Sequence, residues 1–259
     1  SNSAAAASAA ISKFRNRLIN AGFTINQRVY VSNTALSAGT YAHDRWKAGA
    51  SGGTYTFTQG SAGVPITITI TAGSLQQVIE GCNMPDGGTF TLSWVGTAQG
   101  RVNGGSYGSS PITVTGLTAG SNCTLEFNTG TLSIPQIEVG SSATGFEYRQ
   151  YGQEFALCQR YFQKYTQPAL RGVVNPTGNG CQRMGMTLPT VMRSTPTSTI
   201  GAVSIFDGGA TSLVTGIGTD YSTNTTVEYD LACLGGLTAA RPAIVYQTGT
   251  ASLALSSEL

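Results

Sequence analysis

The sequence predicts an all-β protein, and three observations carry that prediction. Charged residues make up only 10% of the 259 positions, whereas 40% are hydrophobic, so the chain has the apolar content for a core without the charge of a helical surface. Thirty-four glycines punctuate it at short intervals. Between those breaks, apolar and polar residues alternate with period two, as in strands that bury one face.

The opening segment is the exception. Ala4, Ala7, Ile11, Phe14 and Leu18 fall at steps of 3, 4, 3 and 4, the a/d seam of a coiled coil, with Lys13, Arg15 and Arg17 off the seam. So short a heptad run does not hold a coiled coil alone. Residues 1–20 are therefore expected to be the end of a stalk helix completed by neighbouring chains; the alternative is a frayed Ala-rich terminus. Its first ten residues lack the charged and Leu-rich regions of a signal peptide.

Strand patterning starts after Gly22, where Phe23, Ile25 and Gln27 alternate with Thr24, Asn26 and Arg28. Further strands are expected at 54–58, 66–71, 75–79, 90–95, 112–115, 123–127 and 132–138. Gly-rich turns at 51–53, 60–63, 85–88 and 118–120 separate them. Roughly eight or nine short strands at this spacing imply a jelly-roll β-sandwich over 21–150. A helix is expected at 153–165, because Phe155, Cys158, Gln159 and Phe162 recur at helical spacing and Pro168 ends the pattern. It is taken as a linking helix within 151–167. Alternation resumes at 183–188, 202–206, 212–217, 225–234, 244–248 and 251–255, with Asp207-Gly208-Gly209 as a hairpin turn. Residues 168–259 are expected to form a second, smaller β-sandwich.

Composition narrows the chemistry. A net charge of +2 is too balanced for a nucleic-acid surface, and no apolar run approaches membrane-spanning length. Five widely spaced cysteines, never in a Cys-x-x-Cys pair, read as mostly buried thiols of a chain folded in a reducing cytoplasm, with disulfides as the alternative. The single histidine, His43, precedes Asp44; in a strand the two would point to opposite faces and could not form a base–orienter pair. Gly104-Gly105-Ser106-Tyr107-Gly108 matches G-x-S-x-G but has a Gly-rich loop where a nucleophile elbow needs a strand and a helix. Cys and His do not cluster at zinc spacing, and no calcium loop motif is present, although a calcium held by backbone carbonyls stays open. No local pattern nominates a glycosidase carboxylate pair. Catalytic residues, metal ligands and a cofactor are therefore not expected. Asn122 and Asn224 begin formal glycosylation sequons, which are chance matches if the host is bacterial.

A binding surface remains. Sugars take aromatic rings against their apolar face and Asp, Asn, Gln or Arg against their hydroxyls. Trp46 and Trp94 sit in or beside strands and read as core. The expected carbohydrate-binding residues are Arg101 and Tyr107 in the first domain and Asp207, Asp220 and Tyr221 in the second, each in or beside a Gly-rich turn.

Several segments together resemble a family of phage tail-fibre and tail-associated proteins. They are 20–28 (NAGFTINQR), 41–49 (YAHDRWKAG), 90–98 (FTLSWVGTA), 145–152 (GFEYRQYG) and, most specific, 154–162 (EFALCQRYF), in that family's order. Met192-Arg193-Ser194-Thr195-Pro196-Thr197 resembles a strand of its second domain, and Ser256-Ser257-Glu258-Leu259 looks like a true terminus. The resemblance implies a homotrimeric virion fibre receptor-binding protein, on a tail or a head, with a carbohydrate-binding-module-like jelly roll and a distal β-sandwich. It implies partners too: bacterial surface polysaccharide, and other fibre or baseplate proteins through the stalk. It carries over no catalytic residue. The competing readings are a polysaccharide-depolymerising tailspike, against which stands the lack of an internal β-helix repeat, and a purely architectural trimeric segment.

Overall fold

The computed structural model describes residues 14–166, 168, 170–246 and 252–259. The described residues are all-β apart from one helix and one short 3₁₀ turn, and the chain divides into two compact units, the first ending at Cys158 and the second running from Gln159 to Glu258.

The first unit contains β1 (Lys47–Thr56), β2 (Ile68–Ile79), β3 (Gly88–Val95), β4 (Gly100–Val102), β5 (Ile112–Leu117), β6 (Cys123–Phe127) and β7 (Gly130–Val139). They form one seven-stranded antiparallel sheet in the order β4-β6-β2-β7-β3-β5, with β1 added to β2. Strand β7 pairs β2 through residues 130–132 and β3 through residues 133–139. Both halves of the sheet feed one core, including Leu75, Leu125 and Phe127 from one and Phe90, Leu92 and Ile137 from the other. Trp46 and Trp94 are buried in it, Trp46 stacked on Phe23 at 4.7 Å between ring centroids. The expected strands 66–71 and 75–79 are one strand, β2. Gly73 at φ +64° lies between them, where a Cβ would stand 2.1 Å from the Gly52 carbonyl oxygen, so only glycine lets β1 and β2 stay paired there.

Two expectations at the start of this unit are corrected. Ala4, Ala7 and Ile11 of the proposed stalk lie outside the described residues, but 14–20 are not helical. Leu18 is fully buried in the core of the unit. The Arg17 amide donates to the Ile137 carbonyl at 3.1 Å and the Asn16 side chain to the Pro135 carbonyl at 3.1 Å, so this segment runs against β7. The expected strand at 23–27 is also absent. The buried Asn20 side chain accepts from the Thr24 and Ile25 amides and donates to the Ile25 and Asp44 carbonyls, closing a loop where a strand would need a neighbour.

Helix α1 (Tyr151–Gln159) is shorter than the expected 153–165. Cys158 is buried and Phe155 half-buried, stacked on Tyr151. Phe162, expected on the helix, is buried in β8 (Phe162–Tyr165), because β8 pairs with β16 (Leu253–Ser256) near the far end of the chain.

The second unit is not the expected sandwich. Strands β9 (Arg171–Val174), β10 (Gly180–Thr187), β12 (Ser204–Phe206), β13 (Thr211–Asp220), β14 (Thr226–Cys233) and β15 (Pro242–Tyr246) close into a barrel in the order β10-β14-β13-β12-β15-β9. Strand β11 (Thr197–Ile200) joins β16 and β8 in a separate three-stranded sheet. Closure follows from β9, which pairs with both β10 and β15 and leaves neither of them an open edge. The barrel is filled by Val174, Cys181, Met184, Ile205, Val214, Val227, Tyr229 and Val245 among others. None of the five cysteines is in a disulfide; four are buried and Cys82 is exposed.

Candidate functional site

The five expected site residues fall into two clusters and one turn. In the first unit, Lys47, Gln76, Glu126 and Arg101 stand opposite one another on β1, β2, β6 and β4, forming one row across the sheet. Their neighbours Leu75, Gln77, Leu125 and Phe127 point the other way and are buried. The Arg101 guanidinium pairs with the Glu126 carboxylate at 2.6 Å and stacks over the Tyr107 ring at 4.5 Å. The Ser74 hydroxyl donates to Glu126 Oε1 at 2.5 Å. Gly49 of β1 passes directly above: a Cβ there would meet Ser74 Oγ at 2.0 Å, which is why Ser74 and Glu126 are buried on an outward row. Burial pushes the Glu126 carboxyl up, but donors from Ser74, Arg101 and Gln76 outweigh it and hold the group below the usual carboxylate range. Burial and the Glu126 charge raise the Tyr107 phenol. Arg101 and Tyr107 are thus half-buried and engaged with each other rather than projecting from a loop.

The turn that brings Tyr107 there carries the G-x-S-x-G match. Gly100 and Gly108 exchange two backbone hydrogen bonds of 2.9 Å, closing the loop on β4, and no helix follows Ser106. The geometry is that of a hairpin, not of a nucleophile elbow. His43 is fully buried, its Nδ1 at 2.6 Å from the Tyr55 hydroxyl and its Nε2 at 3.2 Å from Gln59 Oε1. Asp44 serves other partners, with its carboxylate accepting from Gln27 and Arg28.

The second cluster lies on the barrel wall formed by β10 and β14. A bulge between Cys181 and Met184 leaves Arg183 at φ +56° and turns it outward. Its amide donates to Asp230 Oδ1 at 3.0 Å, its guanidinium pairs with Glu228 at 2.8 Å, and its Cζ lies 4.0 Å from the centroid of the Tyr221 ring. The Tyr221 hydroxyl donates to Asp230 Oδ2 at 3.3 Å, and the residue is 42% exposed. Asp220 beside it is exposed, with Oδ1 accepting the Ser222 amide at 2.8 Å. Next to this group is a surface depression of about 240 Å³, walled by Asn175, Asn179, Gln182 and Asp230. The Asn175 amide donates to Asn179 Oδ1 at 2.9 Å, so the polar lining is internally ordered. An oriented aromatic ring, a guanidinium, amides and a carboxylate on one solvent-facing surface can take hydroxyl-rich ligands by hydrogen bonding without chemistry.

Asp207 has a different place. It is 5% exposed and closes the β12–β13 hairpin. Oδ1 accepts the Gly209 and Ala210 amides at 2.9 and 2.7 Å, and Oδ2 accepts the Thr238 amide at 2.7 Å. Those backbone donors hold it far below the usual carboxylate range. Its side chain is committed to the turn.

Sequence reasoning missed Arg183, Glu228 and Asp230. The last two could have been found, since they alternate with Val227, Tyr229 and Leu231, which are buried. Arg183 faces the site only because of the bulge. Among the described residues no group of three His, Cys, Asp or Glu side chains is disposed to hold a metal, and no helix is long and apolar enough to cross a membrane. No protein-family model, no curated protein and no solved structure matches the chain.

Proposed function

We propose that this protein is a non-catalytic component of a bacteriophage tail or head fibre that attaches the virion to bacterial surface polysaccharide. The reading joins the resemblance of five segments between 20 and 162 to tail-fibre proteins with one observation: the barrel carries an ordered, solvent-facing Arg183–Tyr221–Asp230 group beside an amide-walled depression. Tyrosine supplies a rigid flat surface at low entropic cost, and the amides and carboxylate supply both donors and acceptors, the combination that a sugar ring with its hydroxyls requires. Arg101 and Tyr107, fixed by Glu126, offer a second such stacked pair in the first unit.

In this proposal the first unit is a jelly roll of the carbohydrate-binding-module kind, and the chain folds in the host cytoplasm and assembles as a homotrimer. Segments before Phe14 would connect it to other fibre or baseplate proteins. One shallow polar site binds weakly, because sugars are well hydrated and little apolar surface is removed. Linking sites in one assembly raises avidity by about 10²–10⁴-fold without any new contact. The test is a screen of the purified protein against bacterial surface polysaccharides and their oligosaccharides, with mass analysis of the products. Binding with unchanged glycan mass supports the reading. Shortened glycan points to a depolymerase, and no binding at all to a purely architectural segment.

A further inference from the structure

The exterior of the barrel is two-sided. Arg183, Tyr221, Glu228 and Asp230 stand on or beside β10, β14 and the end of β13. On β9, β12, β15 and the start of β13, alternation places apolar residues outside as well as inside. Ile205, Val214, Ala243 and Val245 are buried, whereas Leu213, Phe206, Ile244 and Val173 are 44%, 37%, 43% and 47% exposed. Registers place Phe206 opposite Ile244, whose other partner is Arg171, with Leu213 opposite Ser204 and Val173 opposite Pro242, so Leu213 and Val173 reach the Phe206–Ile244 pair across the diagonals. Leu234, 73% exposed, extends the patch, since its amide donates to the Leu213 carbonyl at 3.0 Å.

We infer that this wall is the surface on which copies of this chain pack against one another. The five side chains present on the order of 400 Å² of apolar surface, the size of the largest patch on a typical soluble protein, which is often a functional one. That is about half of the roughly 800 Å² each partner gives to a standard interface, and fits its apolar centre. The occupant's chemistry follows from the wall's own. Residues 171–174, 204–206, 211–214 and 242–244 include no carboxylate and one cation, Arg171. A matching partner surface is therefore apolar rather than charged, and the same wall on the other copies, gathered about the shared axis of the assembly, provides it. In the barrel order, β14 is separated from β15 by two strands on either side, so copies joined through β12 and β15 keep the Arg183–Tyr221 group in solvent. The inference rests on the multivalent fibre reading for its purpose and is tested apart from it.

Light scattering on the full chain at micromolar concentration gives the mass of the assembly. The parent is expected to run as a multiple of the single chain. Leu213→Lys combined with Ile244→Lys is expected to reduce it to one chain, with the affinity for a bound oligosaccharide unchanged per chain. Leu234→Lys alters the most exposed side chain of the wall, and lowers the mass at dilution even if the double substitution prevents folding. Oligosaccharide binding absent from every variant while the mass falls as expected would support the wall and defeat the glycan reading. A monomeric parent, or folded variants that keep the parent's mass, would overturn the inference.

Discussion

Acid should destabilise the first unit through His43. The imidazole is enclosed by Phe57, Tyr55 and Phe23, with ring centroids 4.5, 5.8 and 5.9 Å away, and hydrogen-bonds Tyr55 and Gln59. Burial lowers its pKa from 6.5 to about 4, because the cage admits the neutral ring and excludes the charged one. Between those values the unfolded chain binds a proton that the folded chain refuses. Stability is therefore complete above the unfolded value, falls as the pH drops through that window, and levels off below about 4. The full loss is about 3 kcal/mol, of which about 2 kcal/mol has gone by pH 5. Both tryptophans, Trp46 and Trp94, belong to this unit, so urea unfolding followed by indole fluorescence reports on it alone. The comparison is between the parent and His43→Gln at pH 7.5 and pH 5. The variant is less stable at neutral pH, having lost ring contacts, but its further loss on acidification should be smaller by about 2 kcal/mol. Equal losses in the two proteins would refute the reasoning. So would an imidazole proton resonance, unambiguous with a single histidine, that titrates near 6.5.

Other consequences are equally specific. Trp46→Ala removes a fully buried indole that stacks on Phe23 and donates to the Asn20 carbonyl at 2.9 Å, and urea unfolding should register a loss of about 3–5 kcal/mol. Gly73→Ala and Gly39→Ala both place a side chain at positive φ, but only the first drives Cβ into a backbone oxygen, 2.1 Å away. Gly39→Ala should cost about 1–2 kcal/mol by denaturation, and Gly73→Ala clearly more.

The all-β class was legible because period-two alternation survives wherever a sheet buries one face. β6 forms at the expected 123–127, where Cys123, Leu125 and Phe127 are buried and Thr124 is not. The helix was overextended because Phe155, Cys158 and Phe162 keep helical spacing by coincidence. Phe162 is drawn into β8 by pairing with Ser256, 94 positions away, which no local pattern encodes. The barrel escaped for the same reason: closure depends on β9 meeting both β10 and β15, and β9 is only four residues long. Loop 20–25 misled because one buried amide, Asn20, does the work of a strand partner. At the candidate site, Tyr221 was visible from its turn-rich setting. Asp207 lay in a similar setting, yet nothing local distinguished an acid that caps its own hairpin from one that faces solvent.

The most direct test compares Tyr221→Ala and Tyr107→Ala for adsorption to host cells, with the assembly mass and thermal unfolding of each checked against the parent. Tyr221 stands 42% exposed over Arg183 on the surface that holds the depression, whereas Tyr107 is half-buried against Arg101. The account predicts that Tyr221→Ala lowers adsorption at least tenfold with mass and melting unchanged, a loss of about 1.4 kcal/mol or more in binding. Tyr107→Ala should weaken it less. Full adsorption by both variants in an intact assembly would contradict the claim that these stacked pairs hold the glycan.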